Sequence, residues 1–216
     1  MVVERRPYRR EAEDKRRQAL IAATLALVSE GGAASATVRA IAERAGVTPG
    51  LIRHYFTSKE HLVATAYRQL MVGMTDDTAA VLSYAPTDPH ARLAAFIAAS
   101  LRPPVVDRES VTRWAFFIQE TRRSDEMLEI HRQTYLGFRD HLQSLIAALP
   151  RVRTDHELRQ LAIACNAVID GLWLEGGTLP DAFAKNELVQ IGIRSISAML
   201  DCDLHYYLTL SEPPIP

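Results

Sequence analysis

Apolar residues recur at helical spacing along almost the whole chain. Between Lys15 and Ser29, Leu20, Ile21, Leu25, Leu27 and Val28 repeat with the 3.6-residue period, with alanines and Thr24 between them. Gly31-Gly32 ends that predicted helix, because glycine readily takes the left-handed C-cap conformation. Thr37 can cap a short helix over Val38–Arg44, and Gly46 breaks it. Thr48-Pro49 starts a third helix that runs to about Tyr55: threonine accepts orphan amides, and proline at the first helical position loses no hydrogen bond. Thr57 and Glu60 have capping-box spacing and open a long helix to about Tyr84. Pro86, Pro89, Pro103-Pro104 and Pro150 punctuate the rest, with helices predicted near 90–101, 108–123, 125–148, 155–175 and 185–208. No segment alternates with period two for long enough to make a strand, so the expected class is all-α. Residues 1–10 read as a charged arm and 211–216 as a loose tail.

Composition changes this picture in one respect. The 216 residues have a net charge of -1, with 48% hydrophobic and 24% charged residues, an ordinary globular mix. The charge is unevenly distributed. Residues 1–68 hold twelve Lys/Arg against seven Asp/Glu, and residues 69–216 hold thirteen against nineteen. Only the first part is therefore suited to a polyanion. Cys165 and Cys202 form no CxxC motif or disulfide framework and read as two buried thiols in a reducing cytoplasm. The first residues lack the apolar core of a signal peptide, and the most apolar stretch, Leu93–Leu101, is half the length of a membrane span. No HExxH, GxSxG or nucleotide loop is present, so the sequence offers no catalytic residue, metal site or cofactor. Asp155-His156-Glu157 is explained by the preference of acids for a helix start.

The sharpest motif is TVRAIAERAGVTPGLIRHYF, residues 37–56. Two short helices flank Ala45-Gly46-Val47, and Val38, Ile41, Ala42, Val47 and Ile52 are spaced to pack together. The second helix then offers Pro49, Gly50, Leu51, Arg53 and His54 to the outside, a small start with basic residues along its free side, which suits a major groove.

With KRRQALIAATLALVSEGG before it and TSKEHLVATAYR after it, this stretch of residues 15–68 resembles the TetR family of one-component transcriptional regulators. Gly46-Val47-Thr48, Ile52, His54-Tyr55-Phe56, Lys59 and Leu62 carry the likeness. GLIRHYF and the later AVIDGLWL, residues 167–174, are similar to the choline-responsive BetI branch. The resemblance implies a DNA-binding helix-turn-helix domain over 1–57 and an effector-binding and dimerisation domain over 58–216. It implies groove contacts from Pro49, Gly50, Leu51, Arg53 and His54, and phosphate contacts from Thr37, Thr48, Tyr55 and Lys59. Chemistry agrees: Arg53 can take a guanine edge bidentately, and Leu51 can lie on a thymine methyl. Ile52, Phe56 and Leu62 are expected in the core. BetI-type relatives usually carry a small polar residue at the position of Arg53, which implies a different operator preference here.

One recognition helix reads only a few base pairs, so a homodimer on a pseudopalindromic double-stranded operator is expected, with half-sites about 34–36 Å apart or at multiples of that. The helices over 155–175 and 185–208 carry apolar surfaces broader than one core stripe, as a dimer interface requires. For the effector, Trp114 with Phe117, Tyr135 with Phe138, and Asn166, Asp170 and Trp173 stand at helical spacings; aromatic faces beside a carboxylate suit an organic cation. Glu120 and Glu175 are lesser options, and aromatics so spaced also read as plain core. A choline-like or other organic cation, or alternatively an apolar or acyl ligand, would release a repressor from DNA. A helical enzyme, or an interaction bundle without DNA binding, leaves the basic end unexplained.

Overall fold

The computed structural model describes the backbone of residues 6–210 and the side chains of residues 13–32 and 34–208. Ten α-helices and two short 3-10 turns make up the described residues, and no strand occurs among them. The helices are α1 (Arg6–Ser35), α2 (Val38–Arg44), α3 (Pro49–Tyr55), α4 (Lys59–Ala80), α5 (Pro89–Ser100), α6 (Arg108–Glu120), α7 (Asp125–Ala147), α8 (Asp155–Thr178), α9 (Glu187–Leu200) and α10 (His205–Leu210). They form two compact units. The first takes the chain up to Leu70 together with Thr112–His131, and the second takes Met71–Val111 with residue 132 onward.

In the first unit, Leu20, Ile21 and Val28 of α1 are buried, as are Ile41 and Ala42 of α2, Ile52 of α3, and Phe56, Leu62 and Tyr67 beyond it. Phe117 of α6 stacks on Tyr67 with ring centroids 4.7 Å apart. Helical geometry fails at Gly31 (φ -152°) and Gly32 (φ 65°), where the periodicity ends the helix. The second unit is built on α5, whose residues from Leu93 to Ala98 are all buried. Helices α8 and α9 pack on one another, and α5 also meets α9 and α10. Glycines allow the close approach: a Cβ on Gly177 would overlap a methyl of Val111 and lie 3.0 Å from the Asp107 carbonyl oxygen.

Several expectations need correction. The backbone is helical from Arg6, so residues 6–10 are not part of the arm expected over residues 1–10; Met1–Arg5 lie outside the described residues, as does the tail 211–216. The helix expected over 185–208 is two helices. Asp201 takes the left-handed conformation (φ 53°), the Cys202 amide donates to Ser197 O, and Asp203 Oδ1 accepts from His205 N to restart the chain. The helix expected to reach Tyr84 ends at Ala80 and tightens into a 3-10 turn over Val81–Ser83. Cys165 is buried, but Cys202 is only half-buried, because it lies in the break after α9.

Candidate nucleic-acid interface and effector site

The turn between α2 and α3 is fixed by Gly46, whose φ of 65° would strain any residue with a Cβ. Gly46 N donates to Glu43 O at 3.1 Å and Val47 N to Ala42 O at 2.9 Å. This is the Schellman pattern, which satisfies the last carbonyls of α2. Thr37 Oγ1 caps α2 by accepting from Ala40 N at 3.1 Å. Arg44 grips Glu30 with both guanidinium nitrogens, at 2.6 and 2.7 Å, and so ties α2 to α1. That pair is exposed, and it holds the Glu30 carboxyl below its usual range chiefly through the hydrogen bond.

The buried sides of α2 and α3 meet through Ile41, Ala42 and Ile52. Their other sides are open: Thr37, Thr48, Pro49, Gly50, Arg53 and His54 are exposed, and Leu51, Tyr55 and Lys59 are half-buried. The rings of His54 and Tyr55 meet edge-on at 5.0 Å. Ile52, Phe56 and Leu62 are core, as their periodicity predicts, and Arg17 lies 5.3 Å over the Phe56 ring. Val38 is not part of that core. It is 38% exposed, because it opens α2 on the outer side.

Two of the three expected threonine caps differ. Thr48 makes no side-chain capping bond, so Pro49 starts α3 on its fixed φ alone. At α4 the cap is Ser58, whose Oγ accepts from His61 N at 3.1 Å. The Thr57 hydroxyl is 3.0 Å from His61 Nδ1, which occupies it away from the helix amides.

The effector candidates divide between the units. Trp114 and Phe117 belong to the first, and Phe117 is fully buried against Tyr67 and Phe116. Tyr135, Phe138, Asn166, Asp170 and Trp173 belong to the second. There the structure joins three of them. Tyr135 donates its hydroxyl to Asp170 Oδ2 at 2.6 Å. Asn166 Nδ2 donates to the Tyr135 oxygen at 2.7 Å and to Asp170 Oδ2 at 2.8 Å. Burial pushes the Asp170 carboxyl above its usual range, opposed only by those two donors; no cationic side chain contributes. The Tyr135 phenol is pushed up to about 12, chiefly by burial and then by its bond to Asp170. Phe138 instead lies against Phe96, and Trp173 Nε1 donates to Val105 O at 2.8 Å, so both serve packing.

Two features have no signature in the sequence. One is a cleft of about 280 Å³ in the second unit, lined by Asp77, Tyr84, Arg102, Pro104, Val105 and Leu208 among others, and by none of the predicted ligand residues. The other is the contact of Arg113 Nε with Ser29 Oγ at 2.6 Å, which ties α6 to α1. Both depend on long-range pairing. No group of three or more potential metal ligands occurs among the described residues, and no described helix is long and apolar enough to cross a membrane.

An open helix-turn-helix face, followed in sequence by a further helical unit, defines a helix-turn-helix protein. Residues 20–66 match the model of bacterial regulatory proteins of the tetR family, and residues 89–201 match that of the BetI-type transcriptional repressor C-terminal domain. The HTH-type transcriptional regulator BetI of Brucella canis is 31% identical over 83% of this chain and 90% of its own length. A transcriptional regulator of Pseudomonas aeruginosa PAO1 has a similar crystal structure, with TM-score 0.79, 29% identity, and 90% of this chain and 94% of that one covered. The fold also matches a transcriptional regulator of Saccharomonospora viridis crystallised in complex with choline, at TM-score 0.67 and 19% identity, covering 87% and 96%. The chain belongs to the TetR family of transcriptional regulators, in its BetI-type branch. It is thus a DNA-binding regulator of the repressor class and not an enzyme.

Proposed function

We propose that a homodimer of this chain holds a pseudopalindromic operator and that an organic cation of the choline kind releases it. On this reading residues 1–57 read DNA, and residues 58–216 carry the effector and dimer surfaces. Helix α3 enters the major groove, with Arg53 toward a guanine edge, Leu51 on a thymine methyl, and Pro49 and Gly50 allowing close approach beside His54. Thr37, Thr48, Tyr55 and Lys59 take phosphates. The uncommitted hydroxyl of Thr48 supports this, as does that of Thr37, which accepts its capping bond and keeps its proton to donate. The outer side of α8 carries Ile163 and Leu174, exposed apolar residues suited to a twofold mate.

The observation that carries the effector reading is Asp170. A largely desolvated carboxylate is costly unless a positive charge meets it. Among the described residues it has only Tyr135 and Asn166, and an aromatic face beside a carboxylate is the chemistry that recognises an ammonium ligand. The Saccharomonospora viridis regulator's choline complex supports the same ligand class. The effector acts by its differential affinity for two states of the dimer, and α4 is one of three helices, with α6 and α7, that run from one unit into the other.

The test is operator binding by fluorescence anisotropy, with and without choline, for the wild type and Asp170→Asn. Release of the wild type but not of the variant supports the reading. Equal release, or a variant that loses dimerisation instead of effector response, overturns it. The apolar cleft beside Asp77 and Arg102 favours one second reading, an acyl or other apolar effector; Asp170→Asn would then respond as the wild type does.

A further inference from the structure

The hydrogen bonds around Asp170 leave a specific demand unmet. Asn166 is 2% exposed, and its Oδ1 is buried with no partner among the described residues. The orientation of this amide follows from chemistry, since Nδ2 faces two oxygens, the Tyr135 hydroxyl and Asp170 Oδ2. Turning the amide over would set Oδ1 against a carboxylate oxygen. Every polar hydrogen of the triad is thereby spent internally: the Tyr135 proton goes to Asp170, and the two Asn166 protons go to Tyr135 and Asp170. Both bonds that reach the carboxylate from described residues fall on Oδ2. What the triad has left to offer is acceptors, the amide Oδ1 and the carboxylate Oδ1.

We infer that Asn166 sets the specificity of this site by requiring a ligand that brings its own hydrogen-bond donor: a cationic amino alcohol or an N–H-bearing ammonium, rather than a bare quaternary ammonium or a carboxylated, betaine-type cation. This rests on the reading of the Asp170 cluster as the cation site. The positive charge answers Asp170, and the O–H or N–H answers Asn166 Oδ1. A cation without a donor leaves that acceptor unmet, a loss of about ten- to hundredfold in affinity. At the triad itself a ligand carboxylate would meet acceptors only, which is worse. Arg139, one turn along α7 from Tyr135, adds a positive charge that acts on Tyr135, and its buried Nε has no hydrogen-bond partner among the described residues.

Calorimetry on the full-length protein tests this with three probes: choline, n-propyltrimethylammonium (its isostere with methyl in place of hydroxyl) and glycine betaine. Choline should bind at least about tenfold more tightly than the propyl compound, with betaine weaker than both. Asn166→Leu, which keeps the branched shape but removes the acceptor along with the amide donor, should bring choline and the propyl compound to within about twofold of each other. Equal binding of these two by the wild type overturns the inference while leaving the cation reading intact, and that comparison needs no variant. Failure to bind by all three, and by 2-aminoethanol as an N–H-bearing probe, overturns both.

Discussion

The Tyr67 hydroxyl lies 2.7 Å from Nδ1 of His131, and the two rings stack with centroids 6.3 Å apart. Burial raises the Tyr67 phenol well beyond its usual range, so it stays protonated and donates; Nδ1 of His131 must then be the bare acceptor. Burial also lowers the His131 pKa. A base held below its unfolded value of about 6.5 binds more protons when unfolded. Its contribution to stability is therefore complete above about pH 6.5 and falls as the solution is acidified through that value toward the folded pKa. Thermal unfolding between pH 7.5 and 5.5 should show this loss, with a smaller slope in His131→Gln. Tyr67→Phe should cost about 1 kcal/mol at neutral pH. A pH slope unchanged by His131→Gln would contradict the assignment.

Gly46→Ala places a Cβ at a φ of 65° in the turn that sets α3 against α2. There is room for the methyl group, so the penalty is conformational, about 1–2 kcal/mol. Urea denaturation should report that loss. Operator affinity should fall by more than the lost folded fraction explains, because the angle of α3 shifts.

Arg53 and Lys59 should fail differently. Arg53→Ala should cost about 1–3 kcal/mol in operator binding and relax the preference at one base pair per half-site. Lys59→Ala should weaken all sequences alike and lower the magnitude of the log-log salt slope by about one per subunit. Anisotropy titrations over a salt series, on the operator and on single-base variants, separate the two. Equal effects on all duplexes from Arg53→Ala would remove it from the base-reading set.

Much of this was legible in advance, for identifiable reasons. Leu20, Ile21, Ile41, Ile52 and Phe56 lie in the core because helical period alone decides which side of a short helix is buried. The turn was legible because few residues other than glycine tolerate the conformation at Gly46. Capping was less so: Thr57 and Ser58 are chemically alike, and His61 decides between them by engaging the first. The break at Asp201 was hidden, since an aspartate entering the left-handed region leaves no mark in the hydrophobic pattern. In the effector half, spacing put Asn166 and Asp170 on one face of α8. Only the packing of α7 shows that Tyr135 joins them, while Phe117 and Trp173 are committed to the core.

Asp170→Asn should also change stability. A carboxyl whose folded pKa is raised penalises the folded state above that pKa, and the penalty vanishes below its unfolded value of about 3.9. The variant should therefore melt higher than the wild type at pH 7 and show no such advantage near pH 3.5. A variant that melts lower at pH 7 would mean that the charge already has a partner in the assembled protein.

The most direct measurement is the affinity of the full-length protein for duplex DNA from upstream of its own gene, titrated with choline at fixed salt. The account predicts tight, salt-sensitive binding that choline weakens at least about tenfold in the wild type, and that choline leaves unchanged in Asp170→Asn. Operator affinity that stays constant at saturating choline in the wild type would contradict it.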